Sequence, residues 1–232
     1  MLSQMTRRAH LAAVLQESPD AEVQALANIL EPSGVSDLES ITTMPLKHTE
    51  AAEILQKASN LQDPEYVALL YYLHCTGRPY RSCHNIPFPP NAIIVPPKAL
   101  HTPQFRCGQY TFSTHQSHPG NSSVQFYNPL THSSNTGTIE AIWRLPLNAR
   151  LHTFLVIRPH TPLSPEDQGK APFIQFPGLL TQIVDAQQSE QVIIIEPIHI
   201  ITHLTTFPRP AGTYGIERKT LIICTALNRG RR

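Results

Sequence analysis

The sequence has little of what marks several common classes of protein. Only ten of its 232 residues are glycine, and it contains neither a glycine-rich phosphate loop nor the Gly-x-Ser-x-Gly turn of many hydrolases. No window approaches the run of about 18 apolar residues that predicts a membrane-spanning helix. Residues 1–30 lack the apolar core of a secretion signal. We therefore expect an intracellular protein, nuclear or cytoplasmic, with no membrane partner.

Cysteine and charge are also scarce. Four cysteines are too few for a disulfide framework, which favours a reducing compartment. The formal net charge is +1, so the overall charge gives no support for strong non-specific binding to nucleic acid. The acidic residues after residue 100 are scattered: Glu140, Glu166, Asp167, Asp185, Glu190, Glu196 and Glu217. Such a distribution is a poor supply for a two-metal nuclease centre.

Proline is abundant, with 22 residues, and its placement divides the chain. Residues 1–75 form a predicted helical unit, with helices over 4–17, from Ser18 to Leu30, over 50–61 and from Asp63 to a stop at Gly77. In the last of these helices one face is formed by Val67, Leu70, Tyr71 and His74. Seven prolines between Thr76 and Gln104 indicate an extended connector, residues 76–104. Residues 105–232 are predicted to form a β-rich domain.

The β-rich part contains seven strand-like segments: 105–112, 124–128, 137–145, 151–159, 191–196, 198–203 and 219–225. Segments 137–145 and 151–159 are predicted to form a hairpin across residues 146–149. Its first strand places Ile139, Ala141, Trp143 and Leu145 on one face. Residues 159–191 are predicted to be a loop with one or two helical turns. The fold class is therefore α+β, with a small, mostly antiparallel barrel or sandwich.

Twelve histidines raise the question of a metal site. The spacing of His199 and His203 suits a metal ion only on a helix, whereas β-branched neighbours favour a strand that would separate their Cα atoms by roughly 13 Å. His74-Cys75 and Cys83-His84 could form a zinc clip, although the cysteine spacing is unusual for one. We predict no bound metal and no cofactor, and we assign no catalytic residue.

Aromatic and basic residues supply the candidate partner-binding positions. Four aromatic side chains could line a recess for a cation or a peptide side chain: Trp143, Phe173, Phe176 and Tyr214. For Trp143 the alternative is core packing, since it shares a strand face with apolar residues. The basic end of the chain adds three candidates for contact with phosphate: Arg229, Arg231 and Arg232.

Several strings are distinctive of a lineage. They are Leu69-Leu70-Tyr71-Tyr72, Thr76-Gly77-Arg78-Pro79-Tyr80, residues 137–143, residues 195–203, residues 212–216 and residues 227–232. Over residues 60–232 the chain resembles proteins of unknown function, and the C-termini of longer proteins, encoded in or beside transposable elements of mushroom-forming fungi. The resemblance implies an accessory or remnant segment rather than an active recombinase. The order of elements also looks similar to the bromo-adjacent homology fold, a chromatin-associated β domain.

Three functional hypotheses follow. The first is a non-enzymatic interaction module of a transposon-derived protein that binds a protein or nucleic-acid partner. The second is a metal-dependent hydrolase or nuclease that uses some of His115, His118, His199 and His203. The third is a decayed element with no biochemical role.

Overall fold

The computed structural model describes residues 43–78, 80–90, 92–107 and 110–225. The helices predicted over 4–17 and 18–30, and the basic residues Arg229, Arg231 and Arg232, lie outside the described residues. Three α-helices are present in the described part: α1 His48–Lys57, α2 Asp63–Cys75 and α3 Pro165–Gly169. None of the described helices is long and apolar enough to cross a membrane.

Nearly half of the described chain is strand. The strands are β1 Thr43–Pro45, β2 Ser59–Asn60, β3 Tyr80–Ser82, β4 Ile93–Val95, β5 Lys98–His101, β6 Gln104–Cys107, β7 Tyr110–Ser113, β8 Ser123–Asn128, β9 Ser133–Leu147, β10 Arg150–Pro162, β11 Thr181–Gln188, β12 Ile193–Ile195, β13 Ile200–Arg209 and β14 Thr220–Thr225. Short 3₁₀ turns lie at Pro119–Asn121, Pro172–Gln175, Pro177–Leu179, Pro197–His199 and Thr213–Gly215. The α+β class is confirmed.

Six antiparallel strands close a ring of backbone pairings. β9 pairs with β10, β10 with β11, β11 with β14, β14 with β13, β13 with β8, and β8 with β9. The ring can close because the β9–β10 hairpin is long. Only one end of β9 pairs with β8, and only one end of β10 pairs with β11. The other end carries additional partners: β1 and β12 on β10, and β5 on β9. The prediction of a small antiparallel β architecture is confirmed.

The predicted hairpin forms with a tight two-residue turn. Asn148 and Ala149 both have positive φ, 48° and 56°, and the strands continue to Leu147 and Arg150 on either side. Two left-handed residues match the right-handed twist of the flanking strands. The turn therefore sets the register that places Trp143 opposite Phe154.

A β-bulge changes which residues of β9 share a face. The register shifts between Val156 and Ile157, so Glu140 is an extra residue on β9 and the alternation inverts there. Ala141, like Trp143, packs in one core with α2, whereas Ile139 packs in a second core with Ile142. The prediction that Ile139 shares a face with Trp143 was wrong. Both faces of the hairpin are buried.

Core 1 lies between α2 and the hairpin. It contains Leu69, Tyr72 and Leu73 from the helix, packed with Trp143 and Phe154. The predicted helix is confirmed, and Gly77 ends it with φ 75°. The predicted face of α2 was wrong: the buried side chains are Tyr66, Leu69, Tyr72 and Leu73, whereas Val67 and Tyr71 are about 60% exposed.

Core 2 covers the opposite face of the hairpin. Leu155 and Ile157 of β10 pack there, together with side chains of β6, β7 and β8. The segment predicted as one strand over 105–112 instead contributes two paired strands, with the rings of Phe105 and Phe112 stacked at 5.1 Å. Within residues 76–104, β3 and β4 pair in parallel and β5 joins the main sheet, so this predicted connector also carries sheet structure.

The largest difference from the predicted order of elements concerns residues 159–191. The predicted helical turns are present as α3 and two 3₁₀ turns, but residues 181–188 form β11, a strand that completes the ring. The later strands are shifted as well. β12 is confined to residues 193–195, and β13 begins at Ile200 and runs on to Arg209.

Gly137 is required where β9 enters the ring. A Cβ atom there would lie 2.6 Å from Ile157 Cγ2 and 2.7 Å from the carbonyl oxygen of Arg158. No side chain fits at such distances, so glycine allows β10 to approach β9 at the bend.

Candidate functional site

A buried polar cluster joins α2 to the sheet around Glu196. Arg78 donates two hydrogen bonds to the Glu196 carboxylate, at 3.0 and 2.6 Å. Tyr72 donates from its hydroxyl to Glu196 Oε2 at 3.2 Å, and the same hydroxyl lies 3.3 Å from His199 Nε2. His152 Nδ1 lies 3.5 Å from Glu196 Oε1, at the outer limit of a hydrogen bond.

The cluster holds its charges in mutual contact. Burial alone would raise the pKa of Glu196, but the nearby His152 imidazole and the hydrogen bonds and charge of Arg78 outweigh it and lower that pKa to about 2. Burial, together with the charge of Glu196, raises the pKa of Tyr72, and burial lowers the pKa of His199. At neutral pH the carboxylate and guanidinium are therefore ionised, and the phenol and His199 are neutral.

This arrangement joins α2 to the sheet through one carboxylate. Both carboxylate oxygens accept hydrogen bonds, Oε1 from Arg78 and Oε2 from Arg78 and Tyr72, and His152 of β10 lies close to Oε1. The sequence carries one signal for this cluster: Glu196 directly follows the apolar run Val192–Ile195, of which Ile193–Ile195 form β12. An acid at the end of a buried strand needs a partner, because an unpaired buried charge is costly.

A second polar location is a recess at the mouth of the ring, with a volume of about 260 Å³. It is lined by side chains of β8, β9, β10, α3 and β11: Gln125, Ser134, Asn135, Thr136, His160, Pro162, Gln168, Gln182, Ile183 and Val184. None of these carries a formal charge at neutral pH except by protonation of the histidine. We call this the barrel-mouth recess.

His160 is the buried polar side chain of the recess. Its Nδ1 lies 3.1 Å from the hydroxyl of Thr136, and its Nε2 lies 3.3 Å from the hydroxyl of Thr138. Burial lowers the pKa of His160 to about 4. The ring is therefore neutral at pH 7, with one nitrogen donating and the other accepting.

A group of exposed apolar side chains lies in the segment between two residues that line the recess. Between Gln168 and Gln182, four large side chains are exposed by 57–64%: Ile174, Phe176, Leu179 and Leu180. We call residues 173–180 together with Tyr214 the apolar lip. Phe173 is only partly exposed, and its ring meets that of Tyr214 edge to face at 6.2 Å. Leu180 has φ 49°, a left-handed residue immediately before β11.

The structure separates the predicted aromatic candidates. Phe173 and Tyr214 are in contact, and Phe176 lies on the same lip, 60% exposed. Trp143 is fully buried in core 1 and does not reach the surface, so it cannot line a partner-binding recess with the other three. Core packing, the alternative interpretation of Trp143, is what the structure shows.

The histidines considered for a metal site contact different partners. His203 packs on Phe112 with ring centres 4.1 Å apart, His199 contacts Tyr72, and His115 Nδ1 lies 3.4 Å from a serine hydroxyl. In the part of the chain that the structure describes, no group of three or more His, Cys, Asp and Glu side chains is placed to hold a metal ion.

The residues considered for a zinc clip also have other neighbours. His74 Nε2 lies 2.7 Å from the carbonyl oxygen of Tyr80, and the ring of His84 meets that of Tyr66 edge to face. Cys75 is exposed on α2, and Cys83 is partly buried against core 1.

No protein-family model, curated protein or solved structure matches this chain. The resemblances to fungal transposable-element proteins and to the bromo-adjacent homology fold therefore stay predictions.

Proposed function

We propose that this chain is a non-enzymatic interaction module, an accessory part of a transposon-derived protein, that binds a segment of a protein partner at the apolar lip. One observation carries the proposal: Ile174, Phe176, Leu179 and Leu180, all within seven positions, are each more than half exposed. Exposing apolar side chains in a cluster has a free-energy cost that a bound partner removes.

The charges around the lip favour a protein over a nucleic acid. Binding to phosphate requires clustered, available Lys or Arg side chains. Lys170 precedes the lip in the chain and Arg218 follows Tyr214, and both are held by Asp167, at 2.8 and 3.0 Å. The barrel-mouth recess is lined by uncharged groups. An apolar lip with a neutral polar recess is the surface expected for a peptide with apolar and uncharged polar side chains.

The enzymatic alternative gains no specific support. The imidazoles of three of its histidines, His115, His199 and His203, contact different neighbours. The fourth candidate is His118. In the buried ionic cluster around Glu196, the charged groups Glu196 and Arg78 are paired with each other. We therefore retain the interaction module as the proposed function.

Selection of peptides displayed on phage from a random library, against the full chain, tests this proposal. We expect recurring peptides with apolar side chains, whose synthetic forms bind the full chain in calorimetry. The double variant Ile174→Ser/Phe176→Ser should weaken that binding at least tenfold, because it removes two exposed apolar contacts. Val67→Ser on α2 is the matched control, since Val67 is 62% exposed but distant in the chain.

Two outcomes would contradict the proposal. One is enrichment of no peptide, or of peptides whose binding the lip variant leaves unchanged. The other is tight binding of fluorescent DNA or RNA oligonucleotides with a steep loss of affinity as salt rises, which would make nucleic acid the partner.

A further inference from the structure

The barrel-mouth recess is smaller than most sites for small molecules. Its volume of about 260 Å³ lies below the roughly 300–1,000 Å³ of small-molecule sites. Gln168 and Gln182 line it, and the segment between them carries the apolar lip. The lip is therefore contiguous in the chain with two residues that line the recess.

Four of the ten lining residues carry a carboxamide: Gln125, Asn135, Gln168 and Gln182. Gln168 donates its Nε2–H to the carbonyl oxygen of Leu163 at 3.0 Å, and since a carbonyl can only accept, Gln168 Oε1 is left as an acceptor. Gln125 uses one end of its amide on the hydroxyl of Ser134 at 2.9 Å. Gln182 makes no side-chain hydrogen bond to any residue that the structure describes. The recess thus retains both donors and acceptors.

A charged ligand is unsuited to this lining. No carboxylate, ammonium or guanidinium group lines the recess, and His160 is neutral at pH 7. An ion that enters would lose water without gaining a counter-charge. A purely apolar side chain would leave the lining amides without partners, which is also unfavourable. A ligand with one carbonyl and one amide N–H₂ group matches both requirements.

We propose that the barrel-mouth recess binds an uncharged carboxamide, the side chain of a glutamine or asparagine of the partner segment. This inference rests on the proposed function, because the carboxamide belongs to the same segment that covers the lip. The amides of Gln125, Gln168 and Gln182 pair with it as donor and acceptor, and Thr136 with His160 closes one wall.

Acetamide, acetate and methylammonium, used as isolated probes, test the recess without the lip. The full chain, labelled with ¹⁵N, is titrated with each probe, and the side-chain amide signals are followed by NMR. We expect saturable shifts of the recess amides with acetamide, and at least tenfold weaker binding of the two ions. Gln182→Leu should weaken the acetamide response several-fold. Gln187→Leu is the matched control, an exposed glutamine on the same strand that does not line the recess.

The outcomes separate this inference from the proposed function. Equal binding of acetate or methylammonium, or an acetamide response that Gln182→Leu leaves intact, would overturn the carboxamide site even if peptides bind the lip. A specific acetamide response combined with no selected peptide would support the recess and contradict the proposed partner. Selected peptides that carry no recurring Gln or Asn would also count against the inference.

Discussion

Glu196 links three parts of the fold through one carboxylate. Its partners come from α2, from the segment that follows α2 and from β10, so ionisation of a single group affects how the helix packs on core 1. Its low pKa means that the ionised carboxylate is more stable in the folded protein than in the unfolded chain. The contribution to stability should therefore depend on pH in a definite direction.

Glu196→Gln should lower the free energy of unfolding at pH 7 by roughly 3 kcal/mol, because it leaves Arg78 without its buried partner. The wild-type contribution is present above the unfolded pKa, about 4.5, and is lost as pH falls through the folded value of about 2. Urea denaturation between pH 7 and pH 2 measures both effects. Glu53→Gln on the exposed face of α1 is the control and should change stability little.

A loss of stability in the variant that is no larger than in the control would contradict this account of Glu196. So would a variant that keeps the same acid-dependent loss below pH 4.5. The loss from pH 6.5 to about 4 should persist in the variant, because His160 has a lowered pKa and must be protonated as the chain unfolds.

The β9–β10 hairpin begins at a turn that is not ideal for its geometry. Ala149 has φ 56°, a region that costs a residue with a Cβ about 1 kcal/mol, whereas glycine adopts it freely. Asn148 already suits the first position of such a turn. The hairpin therefore carries a small local strain that one substitution relieves.

Ala149→Gly should raise the midpoint of thermal unfolding, with a gain of about 0.5–1 kcal/mol in the free energy of unfolding. Ala52→Gly in α1 is the matched control, since the same change at an exposed helical position should destabilise by a similar amount. Thermal unfolding of both variants, followed by circular dichroism, shows whether the first is stabilised and the second destabilised. Destabilisation by Ala149→Gly would show that this turn does not have the left-handed geometry described.

The elements that sequence patterns predicted correctly are those with local signals. Asp63, Pro64 and Glu65 begin α2, where Glu65 accepts a hydrogen bond from the N–H of Gln62 at 3.0 Å, and Gly77 ends it. Alternating apolar residues predicted the hairpin. β11 was not predicted, for two reasons. Five of its eight residues are Thr, Gln and Asp, and of these only threonine favours strands. Its pairing partner, β14, follows some 35 residues later in the chain.

The bulge at Glu140 illustrates a second limit. Nothing in the local pattern distinguishes an extra residue from a regular alternation, so Ile139 was placed with Trp143. The helix face of α2 was misjudged for a related reason, because Val67 and Tyr71 are apolar yet 60% or more exposed. Which apolar face is buried depends on the sheet that the helix meets.

Closure of the ring creates the candidate site. The recess joins side chains from residue 125 to residue 184, and they meet only because β8, β9, β10 and β11 belong to the same closed set of pairings. Phe173, Phe176 and Tyr214 were predicted as partner-binding residues from their aromatic character, and they lie on or against one lip. The recess could not be predicted, because glutamine, serine and threonine give no motif.

Hydrogen–deuterium exchange of the full chain, with and without a selected peptide, tests the central claim most directly. Binding at the lip and recess should slow exchange in residues 172–188 and in residues 125–136, and leave α2 and residues 193–200 unchanged. Slowed exchange confined to α2 and the residues around Glu196, with none at the lip, would contradict the account.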